Sequence, residues 1–165
     1  MRRSSLALIV LLIAAPAFAQ EPVGCDKFKW LLEQERALPA SASEVPSGGE
    51  MPKPLTAAAM VTLAPFADAK LPIAPSHAPK SPDSYAGFVR VSALSKAGTY
   101  RVTLSKGAWI DVIQDGRQLK SGAFSGASGC ENLAKSVKFE LAATPFVIEL
   151  SGTTAHAVGV VVTPD

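Results

Sequence analysis

The chain has 165 residues, of which 48% are hydrophobic and 18% are charged, and its formal net charge is +2. This length predicts a single domain with a substantial core. The sequence contains no basic stretch that would indicate nucleic-acid binding or attachment to a membrane surface. It also contains no recognisable catalytic motif, so composition alone does not identify a ligand.

The first 19 residues have the features of a Sec-type signal peptide. Two arginines near the start precede an unbroken apolar run over residues 6–15, and Ala17-Phe18-Ala19 fits a signal-peptidase site. The apolar run is too short to span a bilayer, and we expect no membrane span or lipid anchor. Without this segment the chain has 14 basic and 14 acidic residues. We therefore expect cleavage near Ala19-Gln20 and a periplasmic or secreted product with no net charge.

The two cysteines, Cys25 and Cys130, are predicted to form a structural disulfide. Export places them where disulfides persist. Two distant cysteines and two histidines lack the spacing of a structural zinc site, and a redox-active pair is normally close in sequence. The bond would join the start of the mature chain to a loop near its far end.

The mature chain, residues 20–165, is expected to form one domain with three zones. In the N-terminal zone, 20–39, residues 26–38 predict a short helix that Pro39 ends; its apolar face carries Phe28, Leu31 and Leu32. The next zone, 40–83, is rich in proline and predicts an extended crossing with one strand over 58–64.

The last zone, 84–165, has strand patterns separated by turn signals, which is typical of an all-β fold. Seven strands are predicted there, at 85–93, 99–104, 109–114, 117–124, 136–141, 146–151 and 156–163. Apolar and polar residues alternate most clearly along 100–104 and 137–141. We therefore predict an antiparallel β-sandwich of jelly-roll type with a short N-terminal helix.

Two turns determine the predicted strand pairing. Asp115-Gly116 is the strongest turn signal, and a two-residue loop there pairs Val112 with Leu119 and Asp111 with Lys120. We predict a three-residue loop at 105–107, with positive φ at Gly107, because it brings apolar residues of both strands onto one face. A two-residue loop would instead place Trp109 beside Leu104.

With the three-residue loop, the opposite face carries a candidate binding site. Arg101, Asp111 and Lys120 would form a row across three strands, with Trp109 beside Gly122. An exposed tryptophan flanked by polar groups can stack on a sugar ring and orient it. The structural alternative is a solvated face with cross-strand charge pairs and a tryptophan that covers a glycine, and this alternative is the more common one.

Other polar residues give no predicted catalytic or metal site. His156 has the same strand parity as Val158, Val160 and Val162, which favours a strand-end or core position. His77 lies in the proline-rich crossing, where an exposed histidine without a role is expected. Carboxylates on predicted helices and strands, Glu33, Glu35, Glu140 and Glu149, form no predicted acid–base pair. We expect no cofactor.

The segments 80–88 and 107–117, together with 24–28 and 136–139, resemble a group of small exported bacterial proteins. That group has no established activity, and some members carry the label homogentisate 1,2-dioxygenase. Such an enzyme is several times longer and holds iron through two histidines and a carboxylate. Here only His77 and His156 are available, so the residues do not support the label. A weaker resemblance, from residue 97 onward, is to β-sandwich modules that accompany secreted peptidases and glycosidases.

The leading functional hypothesis is therefore a non-catalytic binding or interaction module for an envelope glycan or a protein partner. Trp109 would stack on a sugar, and Arg101, Asp111 and Lys120 would orient its hydroxyls. The competing hypothesis is a metal-dependent oxygenase that uses His77 and His156. A purely structural role is the third.

Overall fold

The computed structural model describes residues 22–37 and 41–165, and strands dominate it. A 3₁₀ turn at Cys25–Lys27 and helix α1 at Glu33–Ala37 precede the strands. The described strands are β1 Ser43–Pro46, β2 Ala59–Thr62, β3 Ala64–Pro65, β4 Tyr85–Val91, β5 Gly98–Leu104, β6 Trp109–Gln114, β7 Arg117–Gln118, β8 Phe124–Gly126, β9 Lys135–Leu141, β10 Phe146–Thr153 and β11 Ala157–Pro164.

The strands form two sheets, which confirms the predicted all-β class. The six-stranded sheet has the order β1-β2-β11-β5-β9-β8, and the five-stranded sheet has the order β3-β4-β10-β6-β7. Pairing is antiparallel except between β1 and β2. None of the helices in the described part of the chain is long and apolar enough to cross a membrane.

One hydrophobic core lies between the two sheets. The predicted alternation is confirmed: Val102, Leu104 and Phe139 point inward from the six-stranded sheet. Val112 and Ile148 meet them from the five-stranded sheet. Because side chains alternate along a strand, the odd-numbered residues of β6 and β10 lie on the outer face of the five-stranded sheet.

The Asp115-Gly116 turn is confirmed. Both residues have positive φ, 52° and 72°, as a type I′ hairpin turn requires. The ladder pairs Ile113 with Gln118, and the Leu119 amide donates to the Val112 carbonyl over 2.7 Å. Lys120 lies beyond the last ladder pair, so its predicted pairing with Asp111 is not formed.

The predicted hairpin between β5 and β6 is wrong. β5 pairs with β9 and β11, whereas β6 pairs with β7 and β10 in the other sheet. Ser105 still belongs to the first sheet, because its backbone and hydroxyl both bond to Gly159 of β11. The chain then crosses to the second sheet, and Gly107 does not take the positive φ of a hairpin bulge.

The predicted helix over 26–38 is also wrong in extent; Leu38 and Pro39 lie outside the described residues. Phe28 is already extended, with φ −67° and ψ 141°. The segment is instead held against the outer face of the six-stranded sheet. The Lys29 amide donates to Ser125 over 2.9 Å, and the Trp30 indole donates to Ser136 over 3.2 Å. Leu31, which we expected on an apolar face, is 82% exposed.

Two predicted strands are divided between the sheets. Residues 58–64 contain β2 and β3, and residues 117–124 contain β7 and the start of β8. The proline-rich crossing, 40–83, also contains β1, in addition to the one strand that we predicted there. Its last part, residues 66–83, forms no strand. It contributes the contacts to the outer face of the five-stranded sheet that define the site described below.

Candidate functional site

The predicted disulfide is present, and the predicted row of charged residues is not. Cys25 and Cys130 are bonded across 105 positions of sequence. Arg101 lies on the outer face of the six-stranded sheet, whereas Trp109 and Asp111 lie on the outer face of the five-stranded sheet. The core separates the two faces, so Arg101 and Asp111 do not act on one ligand. Lys120 is exposed beyond β7.

Arg101 holds the N-terminal segment and the C-terminus against the sheet. Its guanidinium lies 3.0 Å from the buried Glu35 carboxylate and 3.7 Å from that of Asp165. It also donates to the Leu31 carbonyl. The Glu35 carboxylate accepts a second hydrogen bond, from the Thr163 hydroxyl at 2.8 Å. These contacts give Arg101 a structural role.

On the outer face of the five-stranded sheet, Asp111 is opposed by another carboxylate. Asp111 of β6 and Glu149 of β10 are register partners, and Phe88 of β4 pairs with the far side of Glu149. Directly opposed side chains on adjacent strands lie close together. Asp111 is 6% exposed and Glu149 is 1% exposed. We call these two residues the carboxylate pair.

The proline-rich crossing binds the carboxylate pair through three hydrogen bonds. The Ile73 amide donates to Glu149 Oε1 over 2.9 Å. The Ser76 amide donates to Asp111 Oδ2 over 3.1 Å, and the Ser76 hydroxyl donates to Asp111 Oδ1 over 2.5 Å. The crossing is thus fastened over two neighbouring strands, and it removes Glu149 from solvent.

Glu149 is the electrostatically costly member of the pair. Burial raises the pKa of its carboxyl, the Ile73 amide opposes that rise, and the Asp111 charge adds to it. Glu149 Oε2 has no hydrogen-bond partner among the described residues. A proton on Glu149 therefore removes both the cost of burying the charge and the repulsion by Asp111.

Ser76, His77 and Asp111 lie together but do not form a hydrolytic triad. Ser76 Oγ lies 2.8 Å from His77 Nδ1 and 2.5 Å from Asp111 Oδ1. A hydroxyl has one proton, and a carboxylate only accepts, so Ser76 donates to Asp111 and accepts from His77. In a triad the histidine takes the serine proton and the aspartate orients the histidine. Here the serine lies between the histidine and the aspartate. This arrangement suits a structural role, in which Ser76 holds the crossing against the sheet.

Trp109 is half-buried, and other side chains pack against its indole ring. The His77 imidazole stacks on it with centroids 3.8 Å apart and planes 1° from parallel. Lys135 Nζ lies 4.5 Å from the ring centroid and donates to the Ala108 carbonyl. The adjacent glycine is Gly152, not Gly122 as predicted: a Cβ on Gly152 would lie 3.0 Å from the indole. His77 therefore has a packing role that the sequence did not indicate.

The second histidine, His156, packs against a different aromatic ring from His77. His156 is exposed immediately before β11, as the strand-end interpretation predicted, and its ring lies 4.2 Å from that of Tyr85. Within residues 22–37 and 41–165, no group of three or more His, Cys, Asp or Glu side chains could hold a metal ion. The donor sets at His77 and His156 thus do not match the two histidines and one carboxylate of an iron oxygenase.

A groove opens at the end of the fold where β4 ends and β5 begins. It has a volume of about 430 Å³ and is formed by residues 51–56 and 91–95 together with Tyr100 and Pro164. Met51, Val91, Leu94 and Tyr100 form a buried floor. We call this the end groove. Because β4 and β6 are both antiparallel to β10, Trp109 at the start of β6 lies at the opposite end.

Comparison with protein-family models, with curated proteins and with solved structures finds no match for this chain. Its function must therefore be argued from its own residues.

Sequence reasoning considered Glu149 without finding its partner Asp111, and it missed Ser76 and the end groove. Alternation along β10 does place Glu149 on an outer face, but it does not say which strand lies beside β10. Ser76 is part of a crossing without periodicity. The end groove is built from two loops that are distant in sequence, and no local pattern brings these loops together.

Proposed function

We propose that the protein is an exported, non-catalytic binding module that acts in the periplasm or outside the cell. The disulfide between Cys25 and Cys130 indicates an oxidising, non-cytoplasmic location. The charged start, the apolar run over 6–15 and the small residues at 17–19 support Sec-type export with cleavage near Ala19-Gln20. Residues 1–21 lie outside the described part of the chain.

The strand order supports the jelly-roll form of the fold. If the edge strands β1, β3 and β8 are set aside and the two-residue edge strand β7 is kept, the two sheets have the orders β2-β11-β5-β9 and β4-β10-β6-β7. Eight strands connected in this way make two Greek keys, the arrangement found in lectin domains and cupins. This architecture supports many functions, so the site must carry the argument.

The observation that carries the proposal is the end groove. It is a concavity with a buried apolar floor, and its volume falls in the range of about 300–1,000 Å³ typical of small-molecule sites. Its lining residues include no carboxylate and no imidazole, and the Tyr100 hydroxyl donates to the Lys96 carbonyl. The polar clusters elsewhere, at Arg101 and at the carboxylate pair, hold segments of the chain in place.

Saturable binding of Nile red, a neutral dye that fluoresces in apolar sites, tests the proposal. The wild-type mature protein is expected to bind one dye per chain. Ala93→Trp places an indole in the exposed rim of the end groove and is expected to abolish binding, whereas Ala123→Trp, at another exposed alanine, is the matched control. Absence of wild-type binding, or equal binding by the two variants, would overturn the proposal.

An envelope glycan is the second candidate ligand, and one observation favours it. His77 is exposed and lies parallel to Trp109, so the two rings form an aromatic stack that reaches the protein surface. Asp111 accepts its hydrogen bonds from Ser76, and Arg101 lies on the other sheet. A glycan would therefore contact His77 and the edge of Trp109, without the row of charges predicted from the sequence.

A further inference from the structure

Prolines form part of the walls of the end groove and reduce the number of donors that an extended peptide could use. Three of its lining residues are Pro52, Pro54 and Pro164, which carry no amide hydrogen. A peptide that binds as an added strand depends on backbone hydrogen bonds to its host. A saturated hydrocarbon chain forms no hydrogen bonds, so contact with these prolines leaves none of its groups unpaired.

The floor of the groove is internally satisfied. The Tyr100 hydroxyl, its main polar group, donates to the Lys96 carbonyl over 2.8 Å. Met51, Val91 and Leu94 contribute only apolar side chains. Because the floor presents no unpaired donor or acceptor, a ligand gains from contact with it chiefly by burying apolar surface.

Lysines lie at the rim of the groove, and acidic residues adjoin its lining as well: Glu50 precedes Met51, and Asp165 follows Pro164. Lys53 is the only charged residue of the lining, and Lys96 follows Ser95 just beyond it. Both lysines are exposed, and no ion pair to either occurs among the described residues. A ligand whose apolar part fills the groove would therefore meet the Lys53 ammonium at the mouth.

We propose that the end groove binds a long-chain acyl carboxylate, with the hydrocarbon chain on the floor of Met51, Leu94 and Tyr100 and the carboxylate beside Lys53. This inference rests on the proposed function and names its ligand class. Cation and anion meet at the rim, where the contact is exposed to water and modest in strength. The hydrocarbon chain of the ligand supplies most of the affinity, and Lys53 supplies the preference for an anion.

Displacement of Nile red by saturated carboxylates of increasing length tests the acyl chain. Each additional buried methylene is expected to tighten binding about fourfold, until the groove is full and the affinity stops rising. Ala93→Trp is expected to remove this dependence on chain length, and Ala123→Trp to preserve it. Binding that does not change with chain length would overturn the proposal.

Comparison of dodecanoate with dodecanol tests the charged head. Lys53→Gln is expected to weaken dodecanoate binding about threefold, and Lys53→Gln with Lys96→Gln about tenfold, while dodecanol binding is unchanged. Lys106→Gln, at an exposed lysine near the opposite end, is the matched control.

The outcomes separate the ligand class from the function. Equal displacement by dodecanoate, dodecanol and dodecyltrimethylammonium would overturn the anionic head. Nile red binding that an apolar peptide displaces and carboxylates do not would overturn the acyl ligand, assign the groove to a protein partner and leave the binding module intact. Failure of Nile red itself to bind would overturn the proposed function.

Discussion

Asp111 and Glu149 are directly opposed carboxylates on adjacent strands, and both are buried beneath the proline-rich crossing. Like charges in this position repel one another. The negative charge of Asp111 is better stabilised than that of Glu149. Ser76 donates two hydrogen bonds to Asp111, whereas Glu149 receives one from Ile73. The imbalance places the electrostatic cost on Glu149 and makes its protonation favourable to the folded state.

We predict that Glu149→Gln stabilises the protein at neutral and alkaline pH. Because the pKa of Glu149 is raised on folding, the folded protein binds this proton more tightly than the unfolded chain does. The resulting stability is fully present below the unfolded pKa of about 4.3 and is lost as pH rises through the raised folded pKa. The amide is expected to raise the free energy of unfolding at pH 8, because it places no charge at the buried site.

Urea unfolding between pH 4 and pH 8 measures this effect. Glu44→Gln, at an exposed position of β1, is the matched control and is expected to leave the pH profile unchanged. A loss of stability in Glu149→Gln at pH 8 would show that the buried charge is satisfied by contacts other than those described.

Asp111→Asn is expected to lower the pKa of Glu149 toward its ordinary value without restoring it. The substitution removes the repelling charge, but burial, the larger cause, persists. Titration of the Glu149 side-chain carboxyl by NMR measures the change. An unaltered pKa would mean that the two carboxylates do not interact and that burial alone perturbs Glu149.

The faces of the strands were predictable from the sequence, but their neighbours were not. Alternation correctly assigned Val102 and Val112 to the core and Trp109 and Asp111 to an outer face. The same alternation fits a hairpin and a crossing between sheets equally well. At 105–107 the short loop favoured a hairpin, but hydrogen bonds of Ser105 to β11 keep β5 in the other sheet.

The sequence predicted only those features of the candidate site that follow from the residue types present and from the expected cellular compartment. The pairing of Cys25 with Cys130 followed from there being two cysteines in a chain that the sequence predicts to be exported. The opposition of Asp111 and Glu149 depends on β6 lying beside β10, a contact between segments distant in sequence. The role of His77 depends on where a crossing without periodicity lies on the sheet.

Loss of the disulfide is expected to destabilise the whole fold. In the chain-entropy model, closing a loop of about 100 residues contributes about 4–5 kcal/mol. Cys25→Ser with Cys130→Ser should lower the free energy of unfolding by nearly that amount and increase hydrogen exchange over residues 22–37. A native mass two daltons below the fully reduced value confirms the bond in the wild type. Unchanged stability of the double variant would contradict a structural role.

Arg101→Met is expected to cost about 3 kcal/mol of folding free energy. The substitution leaves the Glu35 carboxylate, whose side chain is only 3% exposed, without its cation. Arg117→Met, at an exposed arginine of β7, is the matched control and should change stability little. Chemical denaturation measures both. If Arg101→Met lost glycan binding at full stability, Arg101 would be a ligand-binding residue, as the sequence hypothesis proposed.

Trp109→Ala distinguishes packing from glycan recognition at the His77 stack. The indole packs against His77, Lys135 and Gly152, so its removal is expected to lower the free energy of unfolding by about 2 kcal/mol. His77→Ala removes the exposed ring and keeps the indole, so it is the more selective variant for ligand binding. Glycan-array binding that His77→Ala abolishes at nearly unchanged stability would establish the glycan site. Dodecanoate binding is expected to survive His77→Ala, because the end groove lies at the opposite end of the fold.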